Sequence, residues 1–449
     1  MTRLTSTHTP RPDTLRYVNL LDAAAVLVLL AAIFGLVNYH VFKLPFAIGL
    51  LLSGLLSSLG VILVDYLIPA WHIEEHVRQA ILGIDFAETV LAGMLSILLF
   101  AGALHTDLGQ LRERRAAIIS LASLGVIIST LVTGFIAYQL FQLFDIDVPI
   151  IWCFAFGALI SPTDPIAVLG IMKAAKAPKG LEAKVIGESL FNDGTGVVLF
   201  TLLSGIGVAM SLGSSTAVHE ASSAGHVALL LTQEILGGIG LGLVVGYVTY
   251  RTIRTVDEHN LEILVSVAAV FMISFGASKL HVSAPLGAVT AGLFLGVRGR
   301  QAMSEHTRQA HDTVWTFLDE TLNAILFLLI GLEVFAIDTR AEFLWAGLVA
   351  VPAVLAARFA GVAIPVMLLH LRSEIDKGTV RVLTWGGLKG GVSVALAMKL
   401  PEFQGRDAVL TVTYVIVVFS ILVQGLTVGP LIRRLYATNS PTEEAPPKH

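Results

Sequence analysis

The sequence reads Ser-Pro-Thr-Asp-Pro at residues 161–165, in the middle of an apolar run that extends from residue 149 to residue 171. Two prolines three positions apart remove two backbone donors and crowd the preceding turn, so we expect a helix to break here. Asp164 lies in the break, where its charge could neutralise the ends of the two half-helices. The stretch therefore predicts an interrupted, charged membrane helix.

A second interruption lies in the other half of the chain, where residues 386–391 read Gly-Gly-Leu-Lys-Gly-Gly inside an apolar run at 379–400. Four glycines around Lys389 make a poor helix interior, and we expect the lysine to neutralise the ends at this break. One such break is a common kink in membrane helices. Two matched breaks, one in each half, favour an inverted-repeat transporter with its binding site at the midplane.

The composition supports a chain that crosses a membrane many times. Only 14% of the 449 residues are charged and 55% are hydrophobic, whereas ordinary soluble domains carry about 25% charged residues. This excludes a soluble enzyme, a disordered protein and a nucleic-acid binder with a basic face. The only cysteine, Cys153, excludes an intramolecular disulfide and a cysteine-based metal site.

Apolar stretches recur along the whole chain at about the length of a membrane helix, which is roughly 20 residues. The fold class is therefore an all-α polytopic membrane protein with about thirteen helices, between a polar N-terminal tail at 1–17 and a short tail at 433–449. The segment at 284–297 is the shortest of them. The predicted helices cover residues 18–37, 44–65, 87–104, 116–144, 149–171, 182–210, 227–250, 260–278, 284–297, 317–336, 343–371, 379–400 and 408–432.

The distribution of Lys and Arg between the loops predicts the orientation of the chain. An odd number of helices places the termini on opposite sides, and the loops on the side of the C-terminus carry most of the basic residues. Because cytoplasmic loops are enriched in Lys and Arg, we expect a cytoplasmic C-terminus and an N-terminus outside.

Charged residues inside the apolar runs indicate where the function lies. Each costs roughly 2.5–3.5 kcal/mol at the centre of a bilayer, so they must be paired, solvated or functional. Purely structural ion pairs are the alternative to a functional site. The five residues are Asp164, Glu188, Asp193, Arg358 and Lys389.

The run at 182–210 sorts its polar residues into two neighbouring stripes. Ser189 and Asp193 lie four apart on one stripe, where a carboxylate with a hydroxyl suits a small hard cation. Glu188 and Asn192 lie four apart on the next stripe. We expect Glu188 to pair with Arg358, since a buried guanidinium stays charged and favours a carboxylate.

Three buried acids face only two buried bases, so one carboxylate lacks a protein partner. We expect Asp193 to be this unpaired carboxylate, because Ser189 and the polar break at Thr163 can complete an oxygen shell around a cation there. Burial disfavours its charged form and a bound cation favours it. A proton and a metal cation would then compete for one site, which predicts an electroneutral 1:1 antiporter that works by alternating access.

The motifs resemble those of the NhaP-like sodium/proton antiporters, prokaryotic relatives of the animal sodium/hydrogen exchangers. The resemblance implies two crossed discontinuous helices and a homodimer in the cytoplasmic (inner) membrane. It also implies a dimerisation part with helices mainly in 18–104 and 260–336, and a core part with helices mainly in 116–210 and 343–432. The matching stretches are SPTDPIAV (161–168), GESLFNDGTGVV (187–198), FLLIGLE (327–333), Arg358, WGGLKGGVSVALAMKLP (385–401) and VQGLTVGPLI (423–432).

The resemblance assigns the site residues in the same way as the charge count. The cation site of the family maps onto Asp193, Ser189 and Thr163, and its supporting network maps onto Glu188, Asn192 and Arg358. The expected substrates are H⁺ and Na⁺, with Li⁺ and K⁺ as alternatives, for a role in pH homeostasis. No cofactor, nucleic acid or protein partner other than a second copy is expected.

One position departs from the family pattern. Many relatives carry a glutamate on the third helix where this sequence has Ala101. We therefore expect a site with a single acidic ligand, in which water fills the gap.

Other functions are less well supported by the sequence. Residues 72–76 read His-Ile-Glu-Glu-His, which matches a zinc peptidase motif, but a peptidase leaves the five intramembrane charges unexplained. A sodium-coupled solute symporter of related fold would need a wider cavity for an organic substrate. A channel would need no titratable group at the breaks.

Overall fold

The computed structural model describes residues 20–69, 75, 77–78, 86–212, 223–256, 258–338, 340–370 and 378–436. Within these ranges every regular element is helical, and no strand occurs. The all-α prediction is confirmed. Both histidines of the motif at 72–76 and most of the two tails lie outside the described residues.

The helices that correspond to the predicted segments follow them to within a few residues, except that the tenth begins at Glu305 rather than at residue 317. In chain order they are α1 (Leu20–Val37), α2 (Phe46–Leu67), α3 (Phe86–Leu104), α4 (Arg115–Leu143), α5a (Ile150–Ile160), α5b (Pro165–Ala174), α6 (Lys179–Ser211), α7 (Ala224–Ile253), α8 (His259–Leu280), α9 (Ala284–Phe294), α10 (Glu305–Leu332), α11 (Ala341–His370), α12a (Thr379–Trp385), α12b (Gly391–Met398) and α13 (Arg406–Tyr436).

Each of the thirteen predicted segments overlaps a helix, but not every helix can cross a bilayer by itself. In the described part of the chain, 9 helices are long and apolar enough to do so. The short helix α9 continues through the π-helical turn Leu295–Gly299, so it extends beyond the predicted end at residue 297. The count of thirteen membrane crossings stays a prediction.

Both predicted interruptions are present, and they touch each other. The fifth segment breaks between α5a and α5b, and the twelfth breaks between α12a and α12b. The backbone N–H of Asp164 in the first break donates to the carbonyl oxygen of Leu388 in the second, at 2.8 Å. A backbone group in each break thus finds its hydrogen-bond partner in the other break, where a continuous helix would have supplied the partner itself.

The helices pack in two sets. In one set α4 packs against α5a and α11, and α11 packs against α13. In the other α2 packs against α10, and α9 packs against α3 and α7. These sets resemble the expected core and dimerisation parts, whose roles stay a prediction. Helix α7, which the sequence left unassigned, joins the second set.

The outer faces of the second set are apolar. Leu243 and Tyr247 on α7 and Phe271 and Phe275 on α8 are exposed. Large exposed apolar side chains on consecutive long helices are typical of surfaces that contact lipid tails. The exposure pattern therefore agrees with a chain embedded in a bilayer.

Candidate cation-binding site

A cavity of about 440 Å³ leads from the end of α3 to the break between α5a and α5b. His105 and Lys173 line its outer part, and Thr163 and Asp193 line its inner part. Lys173 is exposed, so the cavity reaches the surface on the face where α3 ends. The cavity connects that face to the polar centre of the molecule.

Asp193 is the acidic side chain of α6 that faces this cavity. It is only 5% exposed, and within the described residues no hydrogen bond or ion pair engages its carboxylate. An isolated buried charge is costly unless a counter-ion or a proton neutralises it. The carboxylate therefore can bind either a proton or a cation that enters through the cavity.

Thr163 is held in the break by the amide of Asn192. Asn192 Nδ2 donates to Thr163 Oγ1 at 2.7 Å and to Glu188 Oε1 at 2.8 Å. The backbone N–H of Thr163 donates to Asn192 Oδ1 at 3.3 Å. The amide thus uses both ends to fasten the break to α6, next to Asp193 in the sequence.

The side chain of Ser189 does not face the cavity, although Ser189 was expected to be a cation ligand. Its Oγ lies 2.9 Å from Oγ1 of Thr163, and it is absent from the lining of the cavity. The expected stripe with Asp193 is present, but Ser189 is directed toward Thr163. Of the three predicted ligands, Asp193 and Thr163 face the cavity, and Ser189 supports Thr163.

The supporting network is a fully buried ion pair. Arg358 donates from Nη1 to Glu188 Oε1 and from Nη2 to Glu188 Oε2, both at 2.7 Å. Arg358 Nη2 also donates to the carbonyl oxygen of Leu383 at 3.1 Å. Glu188 is 1% exposed and Arg358 is 4% exposed. The ion pair therefore links α6 to α11, and Arg358 also links α11 to α12a, in the buried interior of the protein.

Lys389 neutralises the other break rather than its own. Its Nζ donates to the carbonyl oxygens of Ser161 at 3.0 Å and Pro162 at 3.3 Å, at the C-terminal end of α5a. Its backbone N–H donates to Ser420 Oγ at 2.9 Å. The expectation that Lys389 serves the ends at residues 386–391 is wrong, because the two breaks meet and its side chain reaches across.

Asp164 lies correspondingly close to the second break. A side chain at Gly390 would come within 2.6 Å of Asp164 Oδ2, so only glycine leaves room for the carboxylate there. The next residue, Gly391, begins α12b. A carboxylate at a helix N-terminus and an ammonium at a helix C-terminus both stabilise the macrodipoles. The charged side chain of each break therefore lies at a helix end that belongs to the other break.

Replacing Lys389 by alanine should destabilise the protein by about 1–3 kcal/mol, because it leaves two buried carbonyl oxygens without their donor. Lys399, exposed at the end of α12b, is the matched control, and Lys399→Ala should change stability by less than about 0.5 kcal/mol. The thermal midpoints of both variants in detergent measure the difference. Equal midpoints would show that Lys389 does not hold the end of α5a.

The side chain of Ala101 lies outside the lining of the cavity. Ala101 is fully buried in an apolar cluster with Phe100 and Ala103. The face of α3 that lines the cavity instead carries Leu98 and Gly102. Residue 101 therefore does not face the cavity, and a single acidic ligand with water beside it stays a prediction.

The sequence reasoning missed the polar residues of α10 that line the same cavity, among them Asp319 and Asn323. Asn323 Nδ2 donates to Asp319 Oδ1 at 3.0 Å. The signal was available, because the two residues lie four apart and therefore share one face of a helix. Hydropathy had placed both near the start of a segment, where polar residues are ordinary.

Comparison with known families agrees with this geometry. Residues 27–434 match the family model described as the transmembrane sodium/hydrogen exchanger. The chain is 43% identical over 438 residues to the Na⁺/H⁺ antiporter NhaP of Pseudomonas aeruginosa, with 96% of this chain and 100% of the relative covered. It is 34% identical over 397 residues to the Na⁺/H⁺ antiporter NhaH of Halobacillus dabanensis, with coverages of 88% and 92%.

The fold has a counterpart among solved structures. The sodium/proton antiporter MjNhaP1 of Methanocaldococcus jannaschii superposes with a TM-score of 0.71 at 20% sequence identity, covering 93% of this chain and 99% of that chain. Since the family is one of transporters, the chain belongs with transporters rather than with enzymes. The chain is a multi-pass membrane protein of the sodium/hydrogen exchanger family, with the antiporter fold.

Proposed function

We propose that this protein exchanges Na⁺ for H⁺ across the cytoplasmic membrane with 1:1 electroneutral stoichiometry, and that the two ions compete for Asp193. The observation that carries the proposal is the buried carboxylate of Asp193, which faces the cavity without a hydrogen bond or ion pair among the described residues. In a site that always holds one ion or the other, the carboxylate never moves as an isolated charge.

The ligands available to the cation are oxygen atoms, which suits Na⁺ and the other hard monovalent cations. Asp193 supplies the carboxylate and Thr163 supplies a hydroxyl at the break, where both line the cavity. Ser189 and Asn192 hold Thr163 in place through hydrogen bonds. We assign Na⁺ as the principal substrate because the relatives NhaP and NhaH carry that ion in their names.

The cavity favours an inward-facing conformation. It reaches the face where α3 ends and where the loop to α4 begins, and the basic residues of that loop favour a cytoplasmic position for it. We propose that movement of the first packing set against the second closes this cavity and exposes Asp193 to the other side. We also propose that the protein forms a homodimer, as the family resemblance implies.

Transport by the purified protein in vesicles tests the proposal. Vesicles with an acidic interior should lose protons when Na⁺ is added outside, and Li⁺ and K⁺ serve as further arms. The rate should stay unchanged when the membrane potential is clamped at different values, because no net charge moves. Proton loss that no cation accelerates would overturn the proposed exchange. A rate that follows the potential would overturn only the electroneutral stoichiometry.

A further inference from the structure

A second and smaller cavity, of about 210 Å³, lies between the end of α10, the C-terminal part of α12b and α13. The function proposed above does not use it. Its lining includes Glu333, which ends the resemblance motif at 327–333, together with Ala397, Arg406 and Tyr414. A water molecule occupies about 30 Å³ in the liquid, so the cavity has room for a cation with several waters.

Glu333 is an acidic side chain buried at this cavity. It is 3% exposed, and among the described residues no hydrogen bond or ion pair engages its carboxylate. Tyr414 is 4% exposed, and its buried hydroxyl likewise has no hydrogen-bond partner in the described part of the chain. Buried polar groups normally find partners, and exceptions call for an explanation. Two such groups lining one cavity point to a ligand that occupies it.

The guanidinium of Arg406, which also lines this cavity, binds other groups. Arg406 donates from Nε to the carbonyl oxygen of Leu400 at 2.9 Å and from Nη2 to that of Met398 at 3.1 Å. Its Nη1 lies 3.5 Å from Oε1 of Glu402. Arg406 therefore closes the end of α12b and leaves Glu333 available to another cation.

The two cavities follow one another along α10 and α12b. Along α10, Leu326 lines the larger cavity and Glu333 lines the smaller one, a separation of about 10 Å at 1.5 Å per residue. Along α12b, Ser393 lines the larger cavity and Val394 lines the smaller one. Leu326 packs closely against Gly391, where α10 meets the start of α12b, and both residues line the larger cavity. The smaller cavity therefore lies toward the opposite membrane face.

We propose that Glu333 is a second cation-binding carboxylate, which together with the hydroxyl of Tyr414 holds a monovalent cation as it passes between Asp193 and the face opposite the larger cavity. This inference rests on the proposed exchange. It assigns the residues of the outward half of the pathway, whereas Asp193 and Thr163 serve the centre. Carboxylate and phenol oxygens are suitable ligands for Na⁺.

The test measures the Na⁺ dependence of exchange from each face separately, in vesicles that hold the protein in one orientation. Glu333→Gln should raise the half-saturating Na⁺ concentration about tenfold on the face of the smaller cavity, because one charged ligand is lost. The same variant should leave the dependence on the other face unchanged, which also shows that the protein is folded. Tyr414→Phe should shift the same face in the same direction by a smaller factor.

Glu342→Gln is the matched control, because Glu342 is exposed at the start of α11 near the same face. It should change neither dependence. Equal effects of Glu333→Gln on both faces, or no effect on either, would overturn the inference. If Glu333→Gln does not fold, an unchanged dependence in Tyr414→Phe overturns it instead. Absence of exchange in the unaltered protein would mean that the proposed function has failed, not this assignment.

Discussion

Asp193→Asn should abolish cation/proton exchange while leaving the protein folded. The asparagine side chain has nearly the same volume, and no hydrogen bond or ion pair of Asp193 among the described residues is lost. The amide neither takes up a proton at ordinary pH nor neutralises a cation. We expect exchange at the level of protein-free vesicles for Na⁺, Li⁺ and K⁺, with a thermal midpoint equal to or above that of the unaltered protein.

The matched control is Asp319→Asn, in the same cavity. Asp319 accepts a hydrogen bond from Asn323 and lies on α10 rather than at the break. This variant should keep measurable exchange, with a weaker apparent affinity for the cation because the cavity is less negative. Exchange that persists in Asp193→Asn and disappears in Asp319→Asn would show that the carrier carboxylate lies on α10.

Arg358→Ala should destabilise the protein strongly. Removal of one partner from a buried ion pair costs about 3–5 kcal/mol, because the remaining charge is buried without compensation. Here the remaining charge is Glu188, which is 1% exposed. The substitution also removes the hydrogen bond from α11 to the carbonyl oxygen of Leu383 on α12a. The thermal midpoint and the yield of folded protein should both fall.

Two comparisons separate this effect from a direct role in transport. Glu188→Gln combined with Arg358→Ala should recover part of the lost stability, because no uncompensated charge remains. Arg340→Ala, which breaks an ion pair of a side chain that is 55% exposed, should cost less than about 1 kcal/mol. An Arg358→Ala protein with an unchanged thermal midpoint and no exchange would show that Arg358 acts on the ion.

The interrupted helices could be predicted because their cause is local. The prolines at 162 and 165 and the glycines around Lys389 disfavour a helix regardless of what surrounds them. The partners of the charges at the breaks depend on how the two segments cross. For this reason the sequence placed Lys389 at its own break, whereas it binds the carbonyl oxygens of Ser161 and Pro162.

The other differences concern which face of a helix a residue lies on, and whether a charged residue near the end of an apolar segment is solvated. The family pattern matched Ala101 to the position of a glutamate in many relatives, but its side chain lies in the packing between helices rather than in the cavity lining. Asp319 and Glu333 lie near the ends of the apolar segment 317–336, where a charge is ordinarily solvated. Only the fold shows that both line internal cavities.

Direct measurement of proton release on Na⁺ binding tests whether the two ions compete for Asp193. Purified protein in weakly buffered detergent solution receives Na⁺ at a pH where the empty site is protonated, and the released protons and bound Na⁺ are both counted. We expect one proton released per Na⁺ bound, and no release from Asp193→Asn. Na⁺ binding without proton release, or equal release from Asp193→Asn, would contradict it.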